Sequence, residues 1–227
     1  MIAWLSATTA EVEPGDTWLV DAERDVQRAL VVEKRRGDWR LGRWTAKRAV
    51  AALLGVDARS LEIRAAGDGA PEAWHGGRRL PVSLSLSHSD GVALCAVAEP
   101  DVAVGCDVEL VEHRDPAFVR EWFLPSERGM VAATAEAHRD VVTTMLWSAK
   151  ESALKRLRCG LRRDPLSLQV HGGDLLPVHG WLPLHVHDLA GNGDSDAWWH
   201  VRGTLVATVA AGPMPVPPRR LRCTRTA

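Results

Sequence analysis

The feature that most constrains the fold of this chain is an internal repeat. Trp44-Thr-Ala-Lys47 lies in one alanine-rich segment, and Trp147-Ser-Ala-Lys150 lies in a second one at an offset of 103 positions. Both segments are typical of long helices, and each is followed by a strand hairpin, at 82–98 and 198–211. A duplicated helix-plus-sheet unit explains both matches. Chance similarity between two alanine-rich helices is the alternative.

Other helix-like and strand-like segments lie around these two helices. We predict helices at 21–33, 38–55, 115–123, from Ser126 and at 140–157, and strands at 17–20, 61–63, 83–87, 92–98, 102–109, 166–170, 181–187 and within 198–211. The fold class is therefore α+β, with two similar halves, residues 1–101 and 102–227, and an active site at their junction. The proline- and arginine-rich tail from about residue 212 is predicted to be loose.

Composition excludes several classes of protein. The chain has 227 residues, 46% of them apolar, and a formal charge of −1, so it lacks the global positive field that holds nucleic acid. No stretch approaches the roughly 18 apolar residues of a membrane span, and no signal peptide is recognisable. We therefore expect a cytoplasmic protein that binds neither membrane nor nucleic acid.

Two carboxylates share one face of the strand predicted at 102–109. In a strand, alternate residues point the same way, so Gly105, Asp107 and Glu109 lie on one face. The two acidic Cα atoms should be roughly 7 Å apart, a span that a hard cation can bridge. Gly105 would leave room for a ligand near the backbone. The alternative is a strand with one solvated face.

A second candidate lies on the last long helix. Four-residue spacing puts Trp147, Glu151 and Lys155 on one stripe, and Lys150 lies about a quarter turn away. Lysine is scarce in this chain, with only Lys34, Lys47, Lys150 and Lys155. A carboxylate that completes a metal site beside a lysine that reaches a phosphate would suit phosphoryl transfer. A surface Glu–Lys pair is the alternative.

Further cations and histidines are weaker candidates. Arg40, Arg43 and Lys47 form a stripe at the margin of the first long helix, where they either hold a phosphate or face solvent. His88 either donates to a phosphate or ends a strand. For His185-Val-His187 we favour a structural role over a metal site, because no third ligand has suitable spacing.

Three motifs together resemble the Sfp-type 4′-phosphopantetheinyl transferases over roughly residues 17–211. They are Ser85-Leu-Ser-His88, Gly105-Cys-Asp-Val-Glu109 and Trp147-Ser-Ala-Lys-Glu-Ser-Ala-Leu-Lys155, in this order. The resemblance implies a monomer that binds coenzyme A between two similar halves and modifies an acyl or peptidyl carrier protein. It also implies Mg²⁺, or Mn²⁺ in its place, held by Asp107, Glu109 and Glu151 against the coenzyme A diphosphate.

The same resemblance assigns the remaining site residues. Phosphate contacts fall to Ser87, His88, Lys150 and Lys155, and the adenosine 3′-phosphate region to Arg43 and Lys47. The carrier serine would attack the β-phosphate and release 3′,5′-ADP, with either Glu151 or Glu127 as the base.

One departure from the family concerns a turn that contacts coenzyme A. The chain has Gly69-Ala-Pro71 where the family often has Gly-Lys-Pro, so Arg78 or Arg79 would have to substitute for the lysine.

Two other functions compete with this one. A non-catalytic module would grip carrier proteins through Phe118, Trp122 and Phe123, although the presence of all three carboxylates disfavours it. The other is a different Mg²⁺-dependent enzyme that acts on coenzyme A or a nucleotide diphosphate. The carrier protein implied by the resemblance would serve fatty acid, polyketide or nonribosomal peptide synthesis.

Overall fold

The structure is a computed structural model that describes residues 1–172 and 180–222. Its first unit contains Met1–Ala103 together with the described residues from Pro218 onward, and its second unit is Val104–Pro217. The sequence-based division into residues 1–101 and 102–227 stays a prediction. None of the helices in the described ranges combines the length and hydropathy needed to cross a bilayer.

The first unit contains two helices and two sheets. Its elements are β1 (Ile2–Thr8), α1 (Asp21–Ala29), α2 (Glu33–Leu54), β2 (Leu61–Ala65), β3 (Pro71–His75), β4 (Arg78–Arg79), β5 (Ser83–Ser89), β6 (Val92–Ala98) and β12 (Arg219–Arg220). One sheet has the order β12-β1-β6-β5, and the other has the order β2-β3-β4. Helix α2 packs on the first sheet through a stripe that includes Ala46, Ala49 and Val50, none of which is exposed.

Helix α2 ends where the sequence predicts and begins earlier. Gly55 adopts φ 70°, a left-handed conformation that favours glycine, and its N–H caps the carbonyl of Ala51. The helix begins at Glu33 and not at Asp38, since the charged residues between them are good helix formers that need no buried face.

The second unit places one long helix on one five-stranded sheet. Its elements are β7 (Val104–Leu110), α3 (Pro116–Trp122), α4 (Pro125–Ala133), α5 (Glu136–Arg156), β8 (Leu168–Gly172), β9 (Leu182–Asp188), β10 (Ser195–Arg202) and β11 (Leu205–Ala211). The sheet order is β7-β11-β10-β9-β8, with every neighbouring pair antiparallel. Helix α5 packs mainly on β7 and β11, over a core that includes Met145, Leu146 and Trp199.

The two units repeat one another in detail. Each contains a short helix, a long helix, a 3₁₀ turn and then antiparallel strands. In the first unit, Asp57 caps the turn Ala58–Ser60, and the Ser60 hydroxyl donates to the Asp57 carbonyl at 2.7 Å. In the second unit, Asp164 and Ser167 make the same contacts, the hydroxyl bond at 2.6 Å. The prediction of an α+β chain with two similar halves is confirmed.

The helix predicted at 21–33 ends at Ala29, and residues 17–20 and the C-terminal tail also differ from the sequence-based predictions. Residues 17–20 form a turn and not a strand, because Trp18 and Leu19 are buried as consecutive residues and do not alternate between two faces. The C-terminal tail is ordered as far as it is described. Arg219–Arg220 pairs in parallel with β1, and Leu221 is only 5% exposed within the core of the first unit. The edge of β1 offers backbone partners that a local reading of the tail cannot reveal.

Candidate metal and phosphate site

Three carboxylates from distant parts of the chain meet in the second unit. Asp107 and Glu109 project from β7 and Glu151 projects from α5, and one oxygen from each lies within 4.8 Å of the others. Within residues 1–172 and 180–222, this is the single group of three or more acidic, histidine or cysteine side chains with that geometry. We call these residues the acidic triad.

The acidic triad forms because α5 lies unusually close to β7. A Cβ atom added to Gly105 would stand 1.8 Å from the backbone oxygen of Ser152, so only glycine permits this approach. The Ser148 hydroxyl lies 2.9 Å from that of Thr208, which pins the helix to the neighbouring strand β11. The prediction that Gly105 leaves room for a ligand is wrong, because the backbone of α5 fills that space.

Burial and mutual repulsion among the three carboxylates of the acidic triad favour the binding of a cation. Burial, followed by the charges of Asp107 and Glu151, raises the pKa of Glu109 to about 7. Burial and then Asp107 also raise the pKa of Glu151. Three oxygen ligands at this spacing fit a hard divalent ion such as Mg²⁺, which prefers carboxylates. The donor set is therefore suited to the metal that the sequence implied.

Lys155 stands beside the acidic triad. Its Nζ lies 2.7 Å from an oxygen of Asp107 and 3.6 Å from an oxygen of Glu151. Burial alone would lower the pKa of Lys155, but the two carboxylates outweigh it and hold the pKa above its usual range. This lysine is therefore a permanent cation beside the acidic triad.

Lys150 and Glu127 do not reach this site. Both side chains are fully buried, and Lys150 Nζ lies 2.7 Å from Glu127 Oε2. The ammonium also donates to the carbonyls of Trp122 and Pro165 at 3.1 and 3.2 Å. All three of its donors are therefore occupied inside the protein, and the prediction that Lys150 contacts a phosphate is not supported.

Glu127 has no oxygen left for a substrate proton. Its Oε2 accepts from the N–H of Leu124 and its Oε1 from the N–H of Val170, both at 2.8 Å, in addition to the bond from Lys150. A base must reach the proton it removes. This placement argues against Glu127 as the base and leaves Glu151.

The first unit repeats this buried pair with Lys47 and Glu23. Lys47 Nζ donates to Glu23 Oε2 at 2.7 Å and to the Trp18 carbonyl at 2.8 Å, and Glu23 Oε1 accepts from the N–H of Ile63. Lys47 is 2% exposed, so the structure does not support the prediction that it contacts the 3′-phosphate region. Because the pair recurs in the unit without the acidic triad, its role is structural.

Of the cationic stripe on α2, Arg43 alone keeps an unused buried donor. Arg40 is engaged by Asp16 and the Gly15 carbonyl, whereas the Nε of Arg43 is buried without a hydrogen-bond partner. The Arg43 guanidinium stacks at 4.8 Å on the ring of Trp39, and burial lowers its pKa. An anion is a suitable partner for this guanidinium.

The remaining residues that the sequence predicts for coenzyme A binding lie on β5 and around β3. On β5, His88 is exposed and Ser87 is buried. The Gly69-Ala-Pro71 turn leads into β3, and Arg79 forms an ion pair with Glu72 at 3.3 Å.

The aromatic residues proposed to grip a carrier protein pack on one another and on Trp147. Phe118 and Phe123 meet edge to face, and Phe118 makes a similar contact with Trp147. Phe123 is fully buried. Phe118 and Trp122 are half-buried, so Phe123 is the one of the three that no partner protein could contact.

The sequence analysis missed three charged residues that contact predicted candidate residues. Asp194 lies 2.9 Å from His187 Nδ1 and 3.3 Å from His185 Nε2, although the sequence suggested no third partner for these histidines. Glu23 could have been found from the repeat, since it stands at nearly the same offset from Glu127 as the two lysines do. Arg114 lies beside Glu109, and no sequence motif signals it.

An α+β chain that brings three carboxylates and a lysine together has the donor set of a metal-dependent phosphoryl-transfer enzyme. Two family models match it: the 4′-phosphopantetheinyl transferase N-terminal domain over residues 21–98, and the 4′-phosphopantetheinyl transferase superfamily over residues 103–179. No curated protein matches the chain. The chain belongs to the 4′-phosphopantetheinyl transferase superfamily, whose members are transferases that use coenzyme A.

Proposed function

We propose that this protein transfers the 4′-phosphopantetheine group of coenzyme A to a serine of an apo acyl or peptidyl carrier protein. The products are the holo carrier and 3′,5′-ADP. The observation that carries the proposal is the meeting of Asp107, Glu109 and Glu151 beside Lys155 within the part of the chain that matches the superfamily.

Each residue of the site has a defined task in this reaction. Asp107, Glu109 and Glu151 would hold Mg²⁺, which when bound neutralises charge on the diphosphate. Lys155 adds a fixed positive charge that stabilises the leaving 3′,5′-ADP. The serine oxygen bonds to the β-phosphorus, the diphosphate P–O bond breaks, and the serine proton passes to a carboxylate of the site. Glu151 is the carboxylate we favour, because Glu127 is saturated by internal donors.

The first unit would supply the contacts to the adenosine end of coenzyme A. Arg43 is the best candidate for the 3′-phosphate, since its buried Nε has no partner in the described residues. His88 and Ser87 remain predictions for phosphate contacts. Binding of coenzyme A between the two units, a monomeric state and a cytoplasmic location also remain predictions that come from the family resemblance and the composition.

The test is conversion of apo carriers to their holo mass. Purified protein, Mg²⁺ and coenzyme A are incubated with apo carriers from fatty acid, polyketide and nonribosomal peptide synthesis, and intact masses are recorded together with 3′,5′-ADP. Asp107→Asn should abolish conversion, whereas Asp101→Asn, which changes an exposed carboxylate outside the site, should not. Full activity of Asp107→Asn would remove the metal assignment. Breakdown of coenzyme A without any carrier would favour a hydrolase instead.

A further inference from the structure

An arginine turns inward from an exposed loop to meet the acidic triad. Between β7 and α3, the side chains of Glu112, His113 and Asp115 are exposed, but Arg114 is only 22% exposed. Its Nη2 lies 3.7 Å from Oε2 of Glu109, within ion-pair range and longer than a hydrogen bond. Arg114 is thus a second cation beside the triad, on the side of Glu109.

The position of Arg114 is set by contacts other than Glu109. Its Nη1 lies 2.9 Å from Oε1 of Glu112, and its guanidinium stacks on the ring of Phe118 at 5.2 Å. Stacking and a charge-assisted bond together hold a planar guanidinium in one orientation. The contacts with Glu112 and Phe118 therefore hold the Arg114 guanidinium in place independently of Glu109.

The Nε–Nη2 edge of the Arg114 guanidinium, which does not contact Glu112, is the edge suited to a carboxylate. Its Nε is buried without a hydrogen-bond partner, and Nη2 faces Glu109. Nε and Nη2 form the side fork of a guanidinium, which binds a carboxylate through two parallel bonds. A buried donor without a partner is costly, and Glu109 is the carboxylate within ion-pair range of this fork, at 3.7 Å from Nη2. A carboxylate has two oxygens and can serve a metal and an arginine together.

We propose that Arg114 is the positioning residue for Glu109, holding its carboxylate in the orientation that completes the acidic triad. This inference rests on the proposed metal site and adds a residue to it. Outer partners of this kind typically change metal affinity by about 10- to 100-fold when they are replaced.

The test separates the contribution of the guanidinium geometry of Arg114 from that of its positive charge. Arg114→Lys keeps the positive charge and removes the fork, so it should weaken Mn²⁺ binding by about tenfold. Mn²⁺ is titrated in the presence of saturating coenzyme A and followed by its paramagnetic resonance, which reports binding apart from turnover. Arg120→Lys, which changes an exposed arginine on α3, is the matched control and should bind as the wild type does.

A second variant keeps the proposal testable if Arg114→Lys folds poorly. Glu112→Gln removes the anchor of Arg114 at a half-exposed site and should weaken Mn²⁺ in the same direction by about threefold, a part of the effect expected for an outer partner. Arg114→Lys with unchanged or tighter Mn²⁺ binding would overturn the inference. Failure of Asp107→Asn to weaken Mn²⁺, or absence of Mn²⁺ binding by the wild type, would instead overturn the metal site itself.

Discussion

Replacing Lys150 by methionine tests whether the buried Glu–Lys pair is structural. Methionine has a similar unbranched shape but no charge and no donor. The substitution removes the ammonium bonds to Glu127 and to the carbonyls of Trp122 and Pro165, all within a fully buried region. It leaves the carboxylate of Glu127 inside the protein with two backbone N–H donors and no opposite charge.

The expected cost is large because a buried charge loses its partner. Breaking one side of a buried ion pair typically destabilises a protein by about 3–5 kcal/mol. The two N–H bonds to Glu127 remain, so we expect about 3 kcal/mol, at the lower end of that range. Combining Lys150→Met with Glu127→Gln should recover part of this loss, because no buried charge is left unpaired. The recovery is incomplete, because the glutamine amide can accept only one of the two backbone N–H bonds. Lys47→Met should cost about as much in the first unit.

Urea unfolding followed by tryptophan fluorescence measures these free energies, since the chain has ten tryptophans. The two units can unfold in separate transitions, so each is fitted separately. Lys34→Met, at an exposed position of α2, should change stability by less than about 0.5 kcal/mol. The reasoning is refuted if Lys150→Met loses less than about 1 kcal/mol and instead loses affinity for coenzyme A, because Lys150 would then be a ligand contact.

Three further predictions follow from the same structure. Gly105→Ala should destabilise the second unit by at least about 3 kcal/mol and weaken Mn²⁺ binding. Gly129→Ala is the control and should be neutral or stabilising, because a Cβ added there meets nothing within 4 Å. Equal unfolding free energies for the two variants would contradict this prediction. Burial and neighbouring carboxylates raise the pKa of Glu109 to about 7, and a metal needs the ionised carboxylate. The affinity for Mn²⁺ should therefore rise about tenfold per pH unit up to pH 7 and then level off. An Mn²⁺ affinity that does not change with pH would exclude this. Leu221→Ala should destabilise the first unit by about 2–4 kcal/mol. The exposed Val31→Ala in the same unit should cost less than about 0.5 kcal/mol, and urea unfolding measures both values.

Much of the fold and of the acidic triad could be predicted from local patterns. Alternation along β7 puts Asp107 and Glu109 on one face, and helical spacing puts Glu151 one turn before Lys155, whatever the rest of the chain does. The repeat between α2 and α5 was visible as Trp-x-Ala-Lys in both helices. These features depend on backbone periodicity, which the order of residues determines directly.

The roles of individual cations could not be predicted in this way. Lys47, Lys150 and Lys155 are scarce lysines on long helices, and nothing in their spacing separates a buried structural lysine from one beside a carboxylate cluster. Only the packed structure shows that the first two are enclosed by carbonyls and a glutamate, whereas Lys155 meets Asp107. The partners of a side chain are set by three-dimensional proximity, which local sequence does not encode.

The sequence by itself determined the periodic features of this protein: most of its long helices and strands, its internal duplication and the residues that carry the superfamily motifs. The tertiary structure decided which of these residues act together. It brought α5 against Gly105 so that carboxylates from two elements meet, it turned Arg114 toward Glu109, and it returned Leu221 to the first unit. The physical reason is that periodicity is a property of neighbouring residues, whereas burial and electrostatic partnership arise only when distant segments pack.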